Sequence, residues 1–311
     1  MNKSLITKLI GAVTVLVAAA SHATPIYLNN GIDYGSNGST RTGAIDELGY
    51  TATRATSIYR GSPSVVGTKV IDTNETSVMN SYGFSPGNKK TLAGTTKSFQ
   101  YPSFPTGSNI DALNEPSDTN GFTNGQGAFK FGSNFGGRLW GLTYSYTIEG
   151  VTTATGVEFT SGYFNMFYQD GGAAKQVLRM NLAGSDLESA NLSLFGHVSF
   201  DFNGDGTDDA DDFVKNFWQT DSGSFYKLWL ANADAVSWAL DTNVDPPLPT
   251  AGQLYRSSTG DLIRQSNLDG SLVFTVNQFP NEVPEPGSVA LIGIALAGME
   301  VVRKRSKGET A

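Results

Sequence analysis

Cysteine is absent from this chain, and histidine occurs only twice, at His22 and His197. The first absence excludes disulfide scaffolds, thiol nucleophiles, iron–sulfur clusters and thiolate zinc sites. The second excludes a zinc site built on several histidines, and any Ser-His-Asp triad in the body would have to use His197. Positive charge is also scarce: 21 Lys+Arg stand against 29 Asp+Glu, a net charge of −8. Nucleic acid is therefore not an expected partner, because phosphate binding needs clustered basic residues. No segment between Thr24 and Pro286 has the apolar spacing of a long amphipathic helix. What is abundant is glycine, 36 residues in a chain of 311. That length suits one large domain or two small ones.

Both ends carry an address. Lys3 and Lys8 precede the apolar stretch Leu9–Ala20, and Ser21-His22-Ala23 follows with small residues where a signal peptidase reads. Residues 1–23 therefore read as a cleaved signal peptide; the stretch is short for a permanent span. At the other end, Pro284-Glu285-Pro286 precedes the apolar run Val289–Val302, and Arg303, Lys304, Arg305 and Lys307 close it. Fourteen residues give a helix of about 21 Å, against a hydrocarbon core of about 30 Å. The run reads as a short C-terminal transmembrane helix with its basic end inside. A buried terminal helix would show one apolar stripe, whereas here apolar residues surround the axis.

This order of parts resembles the PEP-CTERM sorting signal of exported bacterial proteins. The resemblance implies processing by an exosortase, a transient hold in the inner membrane, and delivery to the cell surface or extracellular matrix. It also implies an association with exopolysaccharide, biofilm and flocculation. Residues around Trp238–Ser271 are similar to the flocculation-associated subgroup. The expected organisation is a signal peptide (1–23), an extracellular body (24–282) and a sorting signal (283–311). The span Thr24–Pro286, without leader and apolar tail, keeps 15 basic and 27 acidic residues, a net charge near −12. Such a body stays soluble and attracts divalent cations.

The body reads as all-β. Trp140, Leu142, Tyr144, Tyr146 and Ile148 alternate with small or polar residues. So do Leu178, Met180 and Leu182, then Leu192, Leu194, Val198 and Phe200, then Leu272, Phe274 and Val276. Each is the pattern of a strand with one buried face. Strands are also expected over Ala52–Tyr59 and Val65–Asp72. Turn signals stand at Asp170-Gly171-Gly172, Ala183–Asp186, Asn203-Gly204 and Asp269-Gly270. Short strands with frequent glycine turns predict a β-sandwich or jelly roll with long Gly-rich loops. A boundary near Pro116 is an alternative to one continuous domain.

The densest chemical feature is Asp201–Asp212, which holds six aspartates among its 12 residues. Asp201, Asn203, Asp205, Asp209 and Asp212 fall at positions 1, 3, 5, 9 and 12; Thr207 offers its carbonyl at 7 and Gly206 the turn at 6. This is the spacing of an EF-hand calcium loop, in which alternate oxygens of a tight turn converge on a hard cation. The loop also resembles those of dockerins and other extracellular calcium modules. Asp208 stands where such loops usually carry an apolar residue, and a strand is expected before the loop instead of a helix. A helix over Asp212–Trp218 could follow. The competing reading is an acidic hairpin with no ion.

Trp218, Trp229 and Trp238, among neighbouring aromatics, are candidate glycan-stacking residues, although core packing explains the same composition. Glu149, Glu158 and Asp170 are conceivable glycosidase carboxylates. His197 lies on the polar phase of its strand. No phosphate-binding glycine loop and no Gly-x-Ser-x-Gly elbow is present. The expected role is a non-enzymatic surface or matrix protein, braced by Ca2+, that associates with exopolysaccharide or other surface components. A carbohydrate-binding module and a secreted glycoside hydrolase or lyase are the alternatives.

Overall fold

The computed structural model describes residues 23–33, 38–84, 109–113, 131–132, 138–170, 172–188, 190–244, 247–257 and 259–277. The expected signal peptide up to residue 22, most of the Gly-rich stretch before Trp140, and the C-terminal helix lie outside them. The chain divides into two compact units, Met1–Val276 and Asn277–Ala311. Every strand and helix described belongs to the first.

The first strands are β1 (Tyr27–Leu28), β2 (Glu47–Tyr59) and β3 (Lys69–Thr73), followed by the short helix α1 (Thr76–Ser81) and by β4 (Asn109–Leu113), β5 (Phe131–Gly132) and β6 (Arg138–Leu139). Four strands then run in succession: β7 (Gly141–Thr152), β8 (Val157–Gln169), β9 (Lys175–Glu188) and β10 (Asn191–Ser199). After the acidic loop come α2 (Asp212–Phe217), β11 (Trp218–Thr220), β12 (Gly223–Ser224) and α3 (Phe225–Ala231). The last strands are β13 (Val236–Asn243), β14 (Leu254–Arg256) and β15 (Leu262–Val276).

The fold is mostly β, as the alternation predicts, but it is not a sandwich of two facing sheets. Ten strands form one antiparallel sheet, in the order β14-β15-β13-β10-β9-β8-β7-β3-β2-β4. In addition β2 pairs with β15, Leu48 opposite Leu272 and Tyr59 opposite Leu262. The sheet is therefore strongly curled, and its pairings return to β2 through β15. Strands from the first third of the chain thus share a sheet with the last strand. Alternation reports that one face is buried; it does not report whether that face meets a second sheet or the far side of its own. Long strands and bulges supply the curl. β8, β9 and β15 have 13, 14 and 15 residues.

Two expected turns lie inside strands. Ala183–Asp186 continues β9, with Gly184 opposite Phe195, and a Cβ on Gly184 would lie 2.9 Å from the Phe195 ring. The glycine there makes room for a cross-strand aromatic ring. Gly270 sits at a bulge of β15, where a Cβ would lie 1.9 Å from the Asp241 carbonyl. Both glycines serve close approach within a ladder. The strand expected over Val65–Asp72 begins only at Lys69.

The inner face carries the core. Leu142, Tyr144, Tyr146 and Ile148 of β7 are all buried, as are Phe164 and Met166 of β8 and Leu178 and Met180 of β9. Tyr146 stacks on Phe164 with ring centroids 5.0 Å apart. At one end α2, α3 and the small β1-β11-β12 sheet close the core with aromatic rings. Phe217 packs edge-on against Tyr168, and Phe225 against Phe274. On the outer face a second cluster, including Ile58, Ile71, Met79 and Ile263, holds α1 against β2, β3 and β15.

Candidate functional site

The acidic loop connects β10 to α2. Its turns are made by its own carboxylates. Asp201 accepts hydrogen bonds from the amides of Gly204 (2.6 Å), Asp205 (3.1 Å) and Gly206 (2.9 Å). Asn203 Oδ1 accepts from the Asp205 amide, and Asp205 Oδ1 from the Thr207 amide at 2.8 Å. Asp209 closes the loop by accepting from the Phe202 amide at 2.7 Å. Gly204 and Gly206 have φ of 80° and 88°, a conformation that favours glycine. Asp211 caps α2 by accepting from the Val214 amide, which leaves Asp212 in the first helical turn.

The flanks fasten the loop to the body. Lys175 pairs with Asp211, and this bond, with the helix cap, holds the Asp211 carboxyl below its ordinary range. Tyr226 donates to Asp208 at 2.6 Å, which pushes the Tyr226 phenol up to about 12. The side chain at the eighth position, where calcium loops usually carry an apolar residue, is thus anchored by a hydroxyl. Hydrogen bonds from Thr207 hold Asp205 below its ordinary value. Of the six candidate ligands, Asp201, Asn203, Asp205, Thr207 and Asp209 stand on the loop and Asp212 opens α2. Among the described residues no group of three or more His, Cys, Asp or Glu lies close enough to hold a metal ion.

The remaining candidates are dispersed. Trp218 and Trp238 are core residues, 1% and 2% exposed, and Trp229 packs partly buried against the same core. Trp218 donates to the Val177 carbonyl and Trp238 to that of His197. The two buried rings offer no face to a glycan, so core packing accounts for them. His197 is partly exposed, and its Nδ1 lies 3.9 Å from an Asp234 carboxylate oxygen. Glu149 and Glu158 are exposed on the β7–β8 hairpin. Asp170 follows the far end of β8, roughly 30 Å along the strand from the partner of Glu149 at about 3.3 Å per residue. That distance is several times the separation a glycosidase carboxylate pair needs.

A second polar group lies inside the curled sheet, where sequence reading did not look. Asp72 of β3 and Arg264 of β15 are 7% and 4% exposed. Asp72 accepts from Ser57 through one oxygen and from Tyr146 through the other, the latter at 2.6 Å. Burial pushes the Asp72 carboxyl above its ordinary value, opposed by these hydrogen bonds and by the Arg264 charge. Burial also raises the Tyr59 phenol, to about 12. The available signal was phase: Val70 and Asp72 share a side of β3, and Arg264, Ser266 and Leu268 share a side of β15. A charge on the apolar phase of a strand marks a buried site.

Residues 282–306 match the PEP-CTERM protein-sorting motif. The chain is an exported protein sorted by an exosortase and directed to the cell surface. No curated protein and no solved structure matches it. Among the described residues no helix is long and apolar enough to cross a membrane.

Proposed function

We propose that this exosortase-sorted protein is a non-enzymatic component of the cell surface or extracellular matrix, acting in exopolysaccharide-associated aggregation, flocculation or biofilm. The sorting motif carries the reading, because it marks an exported protein sorted to the cell surface, where extracellular polymer would meet it. The net charge near −12 over Thr24–Pro286 adds a constraint. It repels anionic polysaccharide at low salt, so a divalent cation has to screen or bridge the two. The Asp201–Asp212 loop is the proposed calcium site, with Asp201, Asn203, Asp205, Asp209 and Asp212 as side-chain ligands and Thr207 through its carbonyl. Two observations support the fit: a preformed turn at Gly206, and a last ligand that opens a helix, as in EF-hand loops. At the weak affinity of extracellular modules, about 10⁻⁴–10⁻³ M, the ion would brace or bridge and not signal.

The test is co-sedimentation of the released protein with the host's own exopolysaccharide, in calcium and in chelator. Retention in calcium and release by chelator is the expected result. Equal recovery in the supernatant under both conditions would overturn the matrix role. The appearance of new reducing ends would favour a hydrolase instead.

A further inference from the structure

The segment that follows the expected leader is tied to the last strand. Thr24 donates its amide to the Phe274 carbonyl at 2.8 Å, and its Oγ1 accepts from the Val276 amide at 2.9 Å. Two residues on, Ile26 exchanges both backbone hydrogen bonds with Ile45, at 2.9 Å each. Leu28 pairs with Trp218 of β11 and donates its amide to Thr42 Oγ1. Ile26 and Leu28 are buried in the core, and Ala23 and Thr24 are half-buried. Phe274 is itself packed against Trp218 and Phe225. Residues 24–28 are thus fastened to the end of β15, to the segment before β2, and to β11.

This is the stretch at which the leader has to be removed. The sequence places the cut between Ala23 and Thr24, so Thr24 supplies the leaving amine. A protease acts on a locally open chain, because its site takes the substrate extended and free of other partners. In the folded body the amide to be cut already donates to Phe274, and Ile26 beyond it is buried. The tie also forms late. β15 is the last strand, and 252 positions separate Thr24 from Val276. At about 5–20 residues per second, the end of β15 follows Thr24 by roughly 13–50 s. Over that interval the junction is open, and β2 and β13 also lack the strand that joins them.

We infer that the clasp of Thr24 on β15 seals the Ala23–Thr24 junction, so that leader removal has to precede folding of the body. Cleavage and folding are then competing fates of one segment. A chain that folds first keeps its leader, and an exosortase cut at its other end no longer frees it. The inference rests on residues 1–23 being a cleaved leader and is independent of calcium and of exopolysaccharide. Its test begins with the N-terminal sequence of the exported protein, which is expected to start at Thr24; any other start overturns the inference. The full-length chain, made without export and purified folded in detergent micelles, is then incubated with the host's signal peptidase. A chain ending at Gly260, which lacks β15, is the open control. The full-length chain is expected to be cut at least tenfold more slowly than the control. Thr24→Val removes the acceptor for the Val276 amide but keeps the shape, and is expected to be cut several-fold faster than the wild type at an unchanged circular dichroism spectrum. Equal rates for the full chain and the control, resistance of both, or no gain for Thr24→Val would each overturn the inference. The first comparison uses no point variant, so it decides the matter even if Thr24→Val fails to fold.

Discussion

Asp72 and Arg264 show how much one buried pair can depend on both members. Removing a single partner leaves an uncompensated charge in the core, a loss of about 3–5 kcal/mol, whereas replacing both with apolar groups is often neutral. Arg264→Met alone should therefore lose stability on that scale, and Asp72→Leu/Arg264→Met should lie within about 1–2 kcal/mol of the wild type. Urea denaturation checks both. The carboxyl also sets a pH dependence. Its folded pKa stands above the ordinary value, so the folded state holds that proton more tightly than the unfolded chain. The contribution is present below the ordinary carboxylate range, about pH 4, and is lost as pH rises through the raised folded value. Relative to Asp72→Asn, the wild type should lose stability over that window and change no further above it. A flat difference across urea midpoints from pH 4 to pH 8 would refute the burial argument.

At the scale of elements, legibility followed the period of two. Tyr144, Tyr146, Leu178, Met180, Leu192 and Leu194 are buried where alternation places them. The helix after the acidic loop was expected over Asp212–Trp218, as the helix that follows a calcium-type loop, and spans Asp212–Phe217. What alternation could not show was the partner of each strand. The β2–β15 pairing joins residues some 200 apart in sequence, and no local signal encodes it. Glycine misled for a related reason: it marks turns and close ladder contacts alike, and at Gly184 and Gly270 the second meaning applies. The helix α3 was hidden because its seven residues fall in an aromatic run. The acidic loop was the most legible element, and its calcium role has a clean test. Asp201 and Asp209 also hold the turns, so changing them confounds folding with binding. Asp212, at the start of α2, is the better probe. Calcium at about 100 times its Kd should stabilise a folded-state site by about 2.7 kcal/mol, a Tm rise of roughly 5–10 °C for a body of this size. Asp212→Ala should keep the melting temperature of the calcium-free wild type and lose most of that rise. Equal melting in calcium and chelator for the wild type would remove calcium from the reading.

For the whole molecule, the decisive information lies in a few residues outside the fold. The body's strands would pack the same way in any compartment; residues 282–306 determine which one they reach. If the tail inserts as its sequence predicts, its parts divide the labour. Val289–Val302 supplies hydrophobicity, Arg303–Lys307 fixes orientation, and Pro284-Glu285-Pro286 adds little to either. Proline fixes its own φ and lacks an N–H, so these three residues have the chemistry of a recognition signal and not of a membrane anchor. Changing these three residues to alanine should therefore spare insertion and block release. The measurement is an immunoblot of membrane, surface and medium fractions from the host. The wild type should be found as a shortened chain at the surface or in the medium, and the triple variant at its longer length in the membrane. A second variant, with Arg303, Lys304 and Arg305 changed to glutamine, should instead weaken orientation and lower the amount inserted. If the triple variant were released like the wild type, the motif would not be the recognition element, and the apolar run with its basic end would have to carry the sorting information alone.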